Sequence, residues 1–240
     1  MKRNSSGRKI PIHALSSLLL LFVSHVQSFA QSPLQLWIQH YHQTTFADRW
    51  DVTADYGYRW MPESSSQHIG RIDFGHHFGD NFRVSTGIAH LGSYESYKIR
   101  SSEIRPFQSI STESSLGNLI LSHRIRIEER IYHYQDDGEN ANADLFEVRA
   151  RYSLGTSFSL FRWSENASLD LGVSDEVFFN VVSAEEGQFF DQNRFFLTPT
   201  VVCNDQLSVA FAWCNQLSPG PKNLSSEYLF WLQIKSKIDL

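Results

Sequence analysis

The sequence predicts an all-β chain closed into a single antiparallel transmembrane β-barrel of about 10 to 12 strands, and three observations lead there together. Apolar and polar residues alternate with period two along most of the chain, the polar set carries charges of both signs, and the first thirty residues have the form of an export signal. The composition, 41% hydrophobic and 20% charged over 240 residues, describes an ordered chain with apolar surface enough for one large domain. Disorder and collagen-like repeats are excluded. No apolar run reaches the roughly 18 to 20 residues of a spanning helix, so a membrane could be crossed only by strands. Two cysteines make no disulfide framework.

Lys2, Arg3, Arg8 and Lys9 precede the apolar run from Ala14 to Val23, and Ser28-Phe29-Ala30 follows it. A basic start, a short apolar stretch and small residues three positions and one position before a cut define a secretory signal peptide over residues 1–30. The mature domain is then 31–240. Losing the leader removes four cations and no acid, which deepens the formal charge of −5 and argues against nucleic-acid binding.

The first clean strand begins at Trp50. There Trp50, Val52, Ala54, Tyr56, Tyr58 and Trp60 alternate with Asp51, Thr53, Asp55, Gly57 and Arg59. Leu119, Leu121, Ile125, Ile127 and Ile131 oppose Ser122, Arg124, Arg126, Glu128 and Arg130 in the same manner. Phe146, Val148, Ala150, Tyr152 and Leu154 oppose Glu147, Arg149, Arg151 and Ser153. The segments around Leu171, Phe211 and Leu232 repeat the sorting. Less regular strands are expected over Leu34 to His42, His68 to Phe78, Phe82 to Gly92, Ile104 to Glu113 and Asn193 to Cys203.

The charge content of the polar face separates two architectures. A soluble barrel spreads its polar residues over the exterior, whereas an outer-membrane barrel turns its apolar face to lipid, gathers aromatics at the interfaces and lines its lumen with polar groups. Here the apolar face begins and ends in aromatics, and neighbouring strands offer charges that could pair. That pattern and the export signal favour the outer membrane. Tight connections at Gly79-Asp80-Asn81, Gly117-Asn118 and Asn204-Asp205-Gln206 alternate with longer ones at Tyr94 to Ser102, Gln135 to Asp144, Val181 to Gln188 and Asn215 to Glu227. Short turns belong on the periplasmic side, so the strand at Trp50 ascends and the last strand descends. Ten strands satisfy this parity without Leu34 to His42, which is either an extra wall strand or a periplasmic or luminal piece.

A set of short motifs in order then carries a resemblance: Leu36-Trp37, Tyr58-Arg59, Arg105-Pro106-Phe107-Gln108, Leu121 to Arg130, Arg149 with Arg151, Asp175 to Asn180, and Gln192-Asn193-Arg194. Across the mature chain it resembles the bacterial outer-membrane barrels grouped as domain of unknown function 2490, a family typical of Bacteroidetes. The resemblance implies a fold and an outer-membrane location, and it supplies no activity. The chain ends in Leu240 where many such barrels end in an aromatic, a departure that bears on how the barrel assembly machinery reads the C-terminus.

Nine charged residues are the expected lumen lining: Arg124, Arg126, Glu128, Arg130, Glu147, Arg149, Arg151, Asp170 and Glu176. They could form a polar path for a small solute, or pair across a narrow barrel and plug it. The function expected is therefore an outer-membrane β-barrel, either a narrow pore or a structural membrane protein, with outer-membrane lipid and the barrel assembly machinery as partners. The competing readings are an outer-membrane lipid-modifying enzyme and a secreted soluble β-barrel that binds a small ligand. No catalytic motif, metal site or cofactor is expected. Ser122 and His123 are adjacent on a strand and point to opposite faces, so they cannot act as nucleophile and base together. His40 and His42 share a face, and Asp136 to Asn140 offers oxygens without the spacing of a calcium loop.

Overall fold

The computed structural model describes residues 34–47, 49–61, 65–134, 144–183, 187–220 and 223–240. The leader assigned to 1–30, residues 31–33 and the acidic loop Asp136 to Asn140 lie outside them. Eleven strands follow one another: β1 (Leu34–Phe46), β2 (Trp50–Trp60), β3 (Ser65–Phe78), β4 (Phe82–Glu95), β5 (Lys98–Leu116), β6 (Leu119–Tyr134), β7 (Asp144–Ser164), β8 (Ala167–Val182), β9 (Phe190–Val202), β10 (Leu207–Pro219) and β11 (Leu224–Asp239). Each pairs antiparallel with its neighbour in sequence, and β1 closes the barrel by pairing with β11.

That closure is parallel, running from Leu34 opposite Tyr228 to Thr45 opposite Asp239. It settles the place of Leu34 to His42 as a full wall strand. In a meander with an odd number of strands the first and last run in the same direction, so the seam between them has to be parallel. The barrel is antiparallel everywhere else. Because β1 and β11 both end at the short-turn end, the parity read from the connections is preserved.

The alternation sorts side chains as period two requires. Tyr56, Phe146 and Phe211 are half or more exposed on the outside, while Asp51, Glu128 and Arg149 are almost wholly buried inside. Some strands mix the pattern: Ala89, Leu91 and Phe107 form a small apolar cluster with Ile69 on the inner face of β3, β4 and β5. The segment His68 to Phe78, less regular in its alternation, lies in β3, which pairs without a break along its length.

Two expected long connections are corrected. Tyr94 to Ser102 is a tight hairpin: β4 runs to Glu95, β5 starts at Lys98, and Ser96 and Tyr97 both take positive φ, 47° and 67°. Positive φ at both central residues is the geometry that twists with the flanking strands, and it usually recruits Asn or Gly, neither of which is present to signal it. Asn215 to Glu227 is also mostly strand, because β10 continues to Pro219 and β11 resumes at Leu224. At the other end Gly79 and Gly117 supply left-handed turn residues, φ 70° and 67°.

The β9–β10 hairpin has Val201 opposite Val209, and the Cys203 amide donates to the Leu207 carbonyl at 2.9 Å. Cys203 is exposed and Cys214 buried, each as a free thiol. Seven strand positions lie between Leu207 and Cys214, roughly 23 Å at about 3.3 Å per residue, far beyond the reach of a disulfide. Titration of the denatured, unreduced protein is expected to find two thiols per chain; an intramolecular bridge in the peptide map would contradict the hairpin.

Candidate functional site in the barrel interior

Successive inward positions on β5 to β8 place arginines beside carboxylates on the neighbouring strand, and the interior becomes one ion-pair network. Glu128 on β6 is its centre. It accepts from Arg149 at 2.6 and 2.9 Å and from Arg151 at 2.5 Å, both on β7, and Arg105 on β5 approaches to 3.8 Å. Arg151 also grips Glu176 on β8 through two 2.9 Å contacts, and Arg124 reaches the same carboxylate at 2.9 Å. On the other flank Glu103 accepts two bonds from Arg105 and one from Arg130, all 2.8 Å. Arg130 continues to Glu147 at 3.3 Å and Arg149 to Asp191 at 2.8 Å. Water is largely excluded from Glu128, which is 1% exposed, so each charge depends on its partners for the solvation it has lost.

A second cluster lies on β2, β3 and β4. Arg71 donates to both oxygens of Asp55 at 2.9 and 3.1 Å, and Gln39 from β1 donates to the same carboxylate. Arg83 bridges Asp51 and Asp73, and His77 sits 2.8 Å from Asp51. Gly75 makes this bridge possible: a Cβ there would lie 2.3 Å from the Arg83 guanidinium.

Of the nine lining residues expected, eight belong to this interior arrangement; Arg126 enters it through Ser109 Oγ at 2.7 Å and through the Phe107 ring, 4.2 Å from its guanidinium carbon. Asp170 stands apart, lining the wall near the short-turn end. Sequence reading missed Glu103, Arg105, Arg71, Arg59 and Arg194. Phe107 on β5 and Phe196 on β9 point inward and β3 alternates weakly, which hides the inner face there, whereas Arg59 stands on the polar face of a clean strand and was missed as a lining residue.

A cavity of about 1060 Å³, lined at its inner end by Arg105, Arg130, Arg151 and Glu176 of the network, extends to the β9–β10 turn, where Asn204, Asp205 and Gln206 line it. Toward the opposite end, buried Gln35 donates to Glu227 at 2.8 Å, and Gln216 accepts from Arg194 at 2.8 Å. The chamber thus reaches the short-turn end, while hydrogen-bonded side chains fill the other. Ser122 faces it. His123 faces outward and bonds the Tyr152 hydroxyl at 2.8 Å. His40 and His42 both contact Ser236 Oγ, at 3.0 and 2.8 Å, and among the described residues no group of His, Cys, Asp or Glu is arranged to hold a metal ion.

No curated protein matches the chain. Residues 34–226, from the start of β1 into β11, match the family described as protein of unknown function (DUF2490), and this coverage of both the wall and the interior network shows that the chain belongs to that family.

Proposed function

We propose that the protein is an outer-membrane β-barrel, exported by its cleaved leader, whose interior is closed by ion pairs and whose chamber opens on the periplasmic side. The observation that carries this reading is the Glu128 network: arginines of β5 and β7 meet one carboxylate on β6 where an open pore would keep them apart in water. The outer face supports a lipid environment. Leu36, Ile38, Tyr56, Ile72, Ile88, Ile110, Ile125 and Phe211 are all at least 39% exposed there, a far larger apolar surface than a soluble monomer shows. Several outward polar groups satisfy one another, with Asp175 accepting from Asn193 at 2.8 Å, Asn215 donating to Ser226 at 2.7 Å and His90 paired with Ser102 at 2.9 Å. Hydrocarbon demands such pairing, because an unpaired polar group there costs several kcal/mol.

On this reading the partners are outer-membrane lipid and the barrel assembly machinery, and the function is structural, with a chamber able to admit a small solute. Planar-bilayer recording of the refolded barrel tests it. The expected result is no steady single-channel current; a reproducible ohmic current would assign a pore instead.

A further inference from the structure

Where the seam strand β1 meets β11, three buried donors and one buried acceptor, Gln39 Oε1, lack partners. The Trp37 and Trp231 indole N–H groups and the Arg59 Nε–H are buried without a partner. The two indoles meet edge to face with ring centroids 4.7 Å apart. Two guanidiniums crowd the same ring: Arg59 lies 4.7 Å and Arg194 5.8 Å from the Trp37 centroid. Arg59 donates to Gln35, Arg194 to Gln216 at 2.8 Å, and among the described residues no carboxylate lies within ion-pair distance of either. Every other strongly buried arginine of the network except Arg126 has an acid partner. The imbalance is local, and Trp37, Arg59, Arg194 and Trp231 all line the cavity, with their unpartnered N–H atoms shielded from solvent.

Beside them β10 turns Ala210, Ala212 and Cys214 inward, all 0% exposed. Small side chains there let Phe196 on β9 and Trp231 on β11 approach across the strand to 6.1 Å. The pocket edge is therefore aromatic, and most of its unpartnered polar atoms are donors. The two guanidiniums share one carboxylate, Glu227, which they reach only through the Gln35 and Gln216 amides, so an acceptor that also carries negative charge would complete the site.

We propose that this corner of the chamber, formed by Trp37, Arg59, Arg194 and Trp231, binds the oxyanion group, carboxylate or phosphate, of a small solute entering from the short-turn end. The planar fork of each guanidinium matches two oxygens, and the indoles add single donors to the same group. The inference goes beyond the closed-barrel reading and does not depend on it, because a detergent-solubilised barrel offers the same corner whether or not the barrel conducts in a bilayer.

Isothermal titration of the refolded, detergent-solubilised full barrel at low chloride tests the assignment, with sodium benzoate and sodium phosphate as separate probes. Saturable binding of at least one probe at one site per chain is expected, and the tighter of the two identifies the headgroup chemistry. Arg194→Gln and Arg59→Gln should each weaken it by about tenfold to a hundredfold, the worth of one charge-assisted hydrogen-bond pair. Trp231→Phe keeps the ring and removes only the N–H, so it should weaken binding severalfold while the barrel stays folded by its heat-shifted gel mobility. No saturation by about 10 mM of either probe overturns the proposal. So does unchanged binding in the folded Trp231→Phe and Arg194→Gln variants, which would move the anion to another part of the lumen.

Discussion

Replacement of Glu128 by Gln is expected to destabilise the folded barrel by about 3 to 5 kcal/mol, the largest loss from any single interior change of similar volume. Glu128 is shared by Arg149 and Arg151, with Arg105 nearby, and is 1% exposed. Its neutral amide keeps the shape and loses the charge, so guanidiniums already stripped of water are left facing one another. Glu95, whose ion pair with Arg100 at 2.7 Å is roughly half exposed, supplies the contrast. Glu95→Gln should cost no more than about 1 kcal/mol, because water screens and replaces that contact. Urea unfolding of the refolded proteins, followed by tryptophan fluorescence, measures both. A second removal, Arg149→Gln in the Glu128→Gln background, should cost less than the sum of the two single changes, since it takes away one of the stranded cations. A Glu128→Gln loss below about 1 kcal/mol would mean that water fills the interior and that the ion pairs are loose.

How much of this interior could be read beforehand depended on the strand. On β6 and β7 every inward position through the middle is charged or small and, Glu129 apart, every outward one apolar, so Arg124 to Arg130 and Glu147 to Arg151 declared their face. Strand β5 carries Glu103, Arg105 and Phe107 inward with Pro106 and Gln108 outward, and the buried Phe107 beside an outward Gln108 erases the period that would have exposed Glu103 as a partner of Arg130. Strand β1 hides its face in the same way: Trp37 and Tyr41 point in, His40 and His42 out. The aromatic inner residues exist because arginines lie on them, as Arg149 and Arg151 lie 5.0 and 4.5 Å from the Phe178 ring centroid, and a hydropathy pattern scores such a ring as lipid-facing. The parallel seam has no local signature at all. Pairing of Leu34 with Tyr228 is a consequence of strand count, a property of the whole chain that no window of residues contains.

The environment of the outer face is decided most sharply by Ile125→Arg. Ile125 sits within β6, opposite Ile110 on β5 and Tyr152 on β7, and is 53% exposed. In water that exposure makes the position tolerant, and a soluble barrel should change by no more than about 0.5 kcal/mol on gaining a solvated arginine there. In a bilayer the same side chain enters hydrocarbon, where an arginine near the midplane costs about 2 to 4 kcal/mol and less toward the interface. The neighbouring residues Ile110, Ile127 and Tyr152 are 45%, 38% and 39% exposed, and the Tyr152 hydroxyl is already bonded to His123 at 2.8 Å, so the patch offers the guanidinium no carboxylate to soften the cost. Thr200→Lys, on the cavity wall, serves as the reference because its ammonium stays in the water of the chamber. Equilibrium unfolding from phospholipid vesicles should therefore separate the two variants by at least about 2 kcal/mol, with Ile125→Arg the weaker. Equal stabilities would turn the apolar face toward water and assign the chain to the soluble barrels, and the interior network would then be the core of a secreted protein.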